Sequence, residues 1–260
     1  MIRSIGRSVI NFFSYIGGVT SLFAFSIKEI FNRQKEGRRL INQIITKQIF
    51  FTGYLALNSI GIIALSLGLI TIIQIFGIAP KIGAEDMIGK ILVATIIREI
   101  GPLLTAIILI GRSGTAIATE IGNMMVSDEF DALESIGIDP LRFIVYPRLI
   151  GMIISLTVLI LYFDVMALLG GFLAARLIGV SIPFSTYSNT LFSAMSFIDI
   201  VVVLFKSFTM GAAIAVIAVM HGFKVGRSPT MVPVAGTRSV VNSLLAVFLV
   251  DGIITVFSYI

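Results

Sequence analysis

Five ionisable side chains sit inside stretches otherwise apolar enough to cross a bilayer: Arg98, Glu99, Asp164, Lys206 and Asp251. Each costs a few kcal/mol at mid-bilayer unless it is paired or hydrated, so each needs a partner or a task. Arg98 and Glu99 are adjacent and point about 100° apart on a helix, which gives them different partners. Structural pairs such as Glu99 with Lys206, or Arg98 with Asp251, are one reading. The other is functional: Arg98 or Lys206 touches a lipid phosphate while the carboxylates position or gate it. The two roles are compatible.

Other chemistry is poorly represented. With one histidine, His221, and no cysteine, a transition-metal site is not expected. No Gly-x-Ser-x-Gly elbow occurs, so no catalytic residue is assigned. Gly83 to Lys90 comes nearest to a phosphate loop, but its glycines are six apart and Ile91 stands where a magnesium-binding Ser or Thr belongs. No nucleotide cofactor is therefore expected on this chain, and energy must come from a partner or a gradient. Nothing points to nucleic acid.

The elements that position the charges follow from composition. Of 260 residues, 57% are apolar and 13% charged, with a mean hydropathy of +1.05. A water-soluble fold near half apolar and a quarter charged cannot hide such a surplus, and disorder is excluded by the same figures. About 20 apolar residues cross a bilayer. Five stretches qualify: Ile49 to Phe76, Met87 to Ile110, Leu149 to Ile178, Ile200 to His221 and Val234 to Ile260. The second carries Arg98 and Glu99 and a proline kink at Pro102. Residues 1–48 read as a separate N-terminal unit. Ile5, Val9, Phe12, Ile16, Val19, Phe23, Ile27 and Ile30 form one helical stripe, which predicts an interfacial helix lying along the membrane, followed by a basic linker. Residues 49–260 form the transmembrane domain. The fold class is thus all-α and polytopic.

Lysine and arginine crowd the segment before the first span and the second-to-third and fourth-to-fifth connections, whereas only Lys81, Lys90 and Arg176 fall on the opposite side. This bias puts the N-terminus in the cytoplasm and the C-terminus on the far side. The connection from Gly111 to Arg148 is acidic. Within it Asp128 to Ile136 reads as a short amphipathic helix with Phe130, Leu133 and Ile136 or Ile138 on one face, stopped by Gly137, Asp139 and Pro140. It is either a solvated loop helix or a docking element. Every-fourth small residues (Gly114, Ala118 and Gly122; Ala167, Gly171, Ala175 and Gly179; Gly211 and Ala215) predict close helix contacts within the chain, with a dimer seam as the alternative. Leu65, Leu69, Ile72, Ile73 and Phe76 form a broad apolar surface that would line an acyl-chain cavity if two copies meet there; plain lipid exposure explains it equally well.

The ordered series Arg98-Glu99-Ile100-Gly101-Pro102, Gly111-Arg112-Ser113-Gly114, Thr119-Glu120-Ile121-Gly122-Asn123-Met124, Asp131-Ala132-Leu133, Gly137-Ile138-Asp139-Pro140, Pro147-Arg148, Thr237-Arg238-Ser239 and Asp251 resembles the MlaE/YrbE family of ABC-transporter permeases over about residues 50–255. Phe130 departs from it, standing where the family usually has glutamine. The resemblance implies a homodimeric permease in the bacterial inner membrane, a cytoplasmic ATPase on each protomer that holds the ATP and magnesium, a periplasmic MCE-domain partner and a phospholipid substrate. By the same resemblance Asp128, Glu129, Phe130, Asp131, Leu133, Glu134, Gly137 and Asp139 belong to a coupling helix seated on the ATPase. Two other classes remain open: a proton-coupled secondary transporter using Glu99, Asp164 and Asp251 as a relay, and a membrane scaffold without transport.

Overall fold

A computed structural model describes residues 38–78, 87–179 and 183–259. The predicted interfacial stripe before residue 38, and Gly83 with its neighbours, lie outside these residues. Every regular element among the described residues is helical: α1 (Arg38–Thr52), α2 (Leu57–Ile78), α3 (Ile88–Leu92), α4 (Gly101–Leu109), α5 (Thr115–Val126), α6 (Glu129–Ser135), α7 (Tyr146–Leu177), α8 (Phe184–Ala194), α9 (Phe197–Phe223) and α10 (Met231–Tyr259). Five helical runs are long and apolar enough to span a membrane, and they coincide with the five predicted stretches.

The first span is broken. Helix α1 carries the basic residues without interruption across positions 48 and 49, and a 3-10 turn at Tyr54–Ala56 separates it from α2. Gly53 marks the break, because a Cβ there would lie 2.8 Å from the Ile49 carbonyl and 3.1 Å from Ser155 Oγ. The second span is continuous from α3 to α5 but widens into π-helix at Val93–Ile100 and again at Ile110–Gly114. The first widening ends directly before Gly101 and Pro102. Proline has no N–H to offer the carbonyl four residues back, and its ring crowds that carbonyl, so the turn opens.

Helix α9 is the central post, packing against α4, α5, α7 and α10. Its N-terminus is set by a capping box: Ser196 Oγ accepts the Ile198 N–H, and Asp199 Oδ2 accepts the Ser196 N–H at 2.8 Å. Small residues bring the other helices close. A Cβ at Gly68 would strike the Ala167 carbonyl, one at Gly170 the Leu65 carbonyl, and one at Gly211 would lie 2.9 Å from the Ile153 Cα. Gly122 and Gly222 likewise face Val225 and Ile121. Of the predicted ladders, Gly122, Ala167 and Gly211, joined by Gly68, Gly170 and Gly222, which the ladders did not include, thus make helix contacts within the chain. Gly179 does not; with φ of +82° it ends α7 in the left-handed region.

Candidate functional site

Four of the five charged residues read within the spans form, with Asp199, two linked clusters where the second span passes α9 and α10. Lys206 reaches from α9 with its side chain fully buried. Its Nζ donates to Glu99 Oε1 at 3.2 Å, Thr255 Oγ1 at 2.8 Å and the Arg98 carbonyl at 2.9 Å, and pairs with Asp251 Oδ1 at 2.8 Å. Thr255 Oγ1 in turn donates to Glu99 Oε1 at 3.0 Å. The Arg98 carbonyl is the one an α-helical Pro102 N–H would have taken, so the lysine completes a backbone bond that the proline deletes.

The second cluster is a fork. Arg98 Nε and Nη2 lie 2.8 and 3.1 Å from the two oxygens of Asp199. Asp199 therefore both caps α9 and neutralises Arg98. Asp199 and Lys206 are seven residues, about 10 Å, apart along the helix, so the fork lies nearer one membrane surface and the lysine cluster deeper. A buried ammonium is tolerable only with such complete pairing.

The pairing Glu99–Lys206 forms as expected; Arg98 with Asp251 does not. Asp251 is drawn to Lys206, and Arg98 takes Asp199. Asp199 and Thr255 escaped sequence reasoning. The first was legible as the fourth residue of Ser196-Phe-Ile-Asp, a capping-box spacing before an apolar run. The second lies four residues after Asp251, hence on the same helix face. Asp164 joins neither cluster. It is buried in α7 against Gly101, where a Cβ would collide with Asp164 Oδ1, and that oxygen has no hydrogen-bond partner among the described residues. His221 is buried between spans, its Nε2 2.8 Å from Asn242 Nδ2 of α10.

The apolar candidates on α2 divide. Ile72 is fully buried against Gly171, Leu65 and Leu69 are half-buried, and Ile73 faces outward. Phe76 lines a cavity of about 170 Å³ with Ile88, Leu92 and Tyr187. Tyr187 of α8 donates to the Leu168 carbonyl at 3.0 Å, and burial pushes its hydroxyl up to about 12.

At the opposite end, α6 begins after Asp128, whose φ of 52° is left-handed, and stops at Gly137 with φ of +79°. Phe130 is buried edge-on against Phe223 at the end of α9, with ring centroids 5.1 Å apart. Leu133 packs beside it. Ile136 does not share that face; it is 69% exposed because the helix has already ended. Arg227, from the turn after α9, pairs with Asp128 at 3.0 Å and Asp131 at 3.5 Å. Asp139 Oδ1 accepts the Leu141 N–H at 2.9 Å and opens the next helix. Glu129 and Glu134 are left on the exposed face.

The family described as Permease MlaE matches residues 45–257, which takes in both clusters and α6. The chain belongs to the MlaE permease family. Among its relatives, a probable ABC transporter permease protein of Rickettsia felis is 29% identical over 97% of this chain and 95% of its own length. The intermembrane phospholipid transport system permease protein MlaE of Haemophilus influenzae is 28% identical over 98% and 95%. Protein TRIGALACTOSYLDIACYLGLYCEROL 1, chloroplastic, of Arabidopsis thaliana is 31% identical over 78% of this chain and 58% of its own. This MlaE-family chain is accordingly a multi-pass membrane permease, and its spans hold Arg98, Glu99, Lys206 and Asp251 in complementary sets.

Proposed function

We propose that this chain is the membrane subunit of an ATP-driven phospholipid transporter of the bacterial inner membrane. It works as a pair of identical copies, with the N-terminus cytoplasmic and the C-terminus periplasmic. A separate cytoplasmic ATPase holds ATP and magnesium, and an MCE-domain protein on the periplasmic side exchanges lipid with the outer membrane. The observation that carries this reading is α6. It is locked to the end of the central helix α9 by Phe130 on Phe223, while Glu129, Glu134 and Ile136 remain exposed. A short helix fixed to the post that carries Lys206 can pass a push from a soluble partner into the span clusters. The phospholipid substrate is supported by the phospholipid transport system for which the Haemophilus relative is named and by apolar faces on α2 and α10, which a second copy would enclose. A proton relay through Glu99, Asp164 and Asp251 asks for carboxyls free to exchange, whereas Glu99 and Asp251 both hold Lys206 and only Asp164 of the three lacks an ion-pair partner among the described residues.

The test is co-purification and transfer. The wild-type chain should retain a co-expressed ABC ATPase and move a fluorescent phospholipid between vesicles only with ATP. Ile136→Arg and Glu134→Lys, both exposed, should stay folded but release the ATPase. Full ATPase recovery with both variants, or transfer indifferent to ATP, overturns the reading.

A further inference from the structure

A second polar site lies away from the span clusters, at the α6 end of the bundle. Helix α1 leans on α7, with Gln48 packed over Gly151, and stands apart from α5. The gap is a cavity of about 490 Å³. One face of α1 lines it with Ile44, Lys47, Gln48 and Phe51, and α5 lines it with Ile117 and Glu120; Leu55 comes from the 3-10 turn after α1 and Ser113 from the π-helical turn before α5. Arg112 and Arg148 complete the lining.

The charges are unequal. Three cations face one carboxylate, and that carboxylate is already committed: Arg148 Nη2 donates to Glu120 Oε1 at 2.6 Å. Arg112 Nη1 and Arg148 Nε are buried with no hydrogen-bond partner among the described residues. Buried guanidinium N–H groups left unmet are costly, and planar guanidinium forks suit phosphate oxygens. Phe51, Leu55 and Ile117 add apolar side chains to the same lining. Cations and hydrocarbon in one cavity suit the boundary between headgroup and acyl chain.

We propose that this cavity is a phosphate-binding site at the headgroup level of the leaflet on the α6 side, with Arg112 and Lys47 as the free donors and Arg148 held in place by Glu120. An anionic phospholipid would place its phosphate between Arg112 and Lys47 and a chain along Phe51 and Leu55. The site stands whether or not the chain transports lipid.

The chain has no tryptophan, so a single Phe51→Trp reporter in the full-length protein gives the only tryptophan signal, from a position that lines the cavity. Vesicles carry brominated phosphatidylglycerol or brominated phosphatidylcholine as quencher. Phe257→Trp, on an outward-facing residue at the far end of α10, reports the bulk lipid. The expected result is a selectivity for phosphatidylglycerol at residue 51 about fivefold above that at residue 257, falling toward parity in Arg112→Gln and partly in Lys47→Gln. Equal selectivity at the two reporters overturns the site, as does selectivity unchanged in both variants. Should Arg112→Gln fail to purify as a single species, the exposed-helix variant Lys47→Gln carries the same comparison. Inorganic phosphate separates the sources: loss of selectivity on its addition assigns the site to a soluble phosphate, and persistence assigns it to a lipid headgroup.

Discussion

Replacing Lys206 with methionine removes the one cation that Glu99 and Asp251 share. Both carboxylates lie against Nζ, at 3.2 and 2.8 Å, so they stand within about 6 Å of each other. At an effective dielectric near 20, two unit charges at that separation repel by ~3 kcal/mol. The value is an upper figure, because the Glu99 side chain is 34% exposed and can turn toward solvent. Breaking a buried pair by removing one partner costs about 3–5 kcal/mol, whereas replacing the whole set with neutral groups of like size is close to neutral. Lys206→Met should thus destabilise by about 2–3 kcal/mol, and Glu99→Gln/Lys206→Met/Asp251→Asn should recover most of the loss. For a domain of this size each kcal/mol moves the midpoint by about 2–4 °C. Heating a fluorescent-protein fusion and following the intact peak by size-exclusion chromatography should give a fall of roughly 4–12 °C for the single variant and less than half of that for the triple. A single variant within ~2 °C of the parent, or a triple no better than the single, refutes the electrostatic account of the cluster.

Five further outcomes follow from the same contacts. The swap Glu99→Lys/Lys206→Glu should not restore the parent's stability, since it sets a second carboxylate beside Asp251; full rescue would mean that Asp251 does not share the lysine. Pro102→Ala returns an N–H to the Arg98 carbonyl and should let that turn close, which infrared or exchange measurements would register as a newly protected amide at residue 102. Gly68→Val should abolish the folded peak because its Cβ meets the Ala167 carbonyl, while Gly77→Ala, with nothing within 4 Å, should leave it unchanged. Phe130→Ala removes a ring seated on Phe223 and should cost about 3 kcal/mol locally, read as faster amide exchange confined to residues 129–135. By contrast Arg227→Ala, with a side chain 76% exposed, should shift the midpoint by no more than ~2 °C.

The spans and most of their ends were legible because hydrophobic length is a coarse, additive signal. Breaks within them were legible only in part. The disturbance at Pro102 was legible from the proline, though not its π-helical form; the 3-10 turn after Gly53 goes with a close approach of Ser155 on α7, which no local pattern encodes. Among the charges, Glu99 found Lys206 as read, since two opposite charges deep in spans have few alternatives. Asp251 and Arg98 were mismatched because Asp199 had been left just outside the span that begins near Ile200. A capping aspartate is ordinarily spent on the backbone, and only the structure shows that its two oxygens also hold a guanidinium. Of the two alternatives read onto the buried face of α6, Ile136 is exposed and Ile138 half-buried, because the left-handed Gly137 ends the helix between them.

The distance along the chain between partners has a consequence for how the protein is made. Arg98 precedes Asp199 by 101 residues, and Glu99 precedes Lys206 by 107. At about 5–20 residues per second, the ribosome delivers the second span roughly 5–20 s before anything that can neutralise it. During that interval Arg98 and Glu99 must remain in the insertion machinery, at its aqueous wall or beside a helper protein, because lipid alone will not keep them. Release of the second span into the bilayer is thereby timed by the synthesis of α9, and a ribosome stalled between residues 130 and 190 should leave a chain that quality-control proteases recognise by its two bare charges.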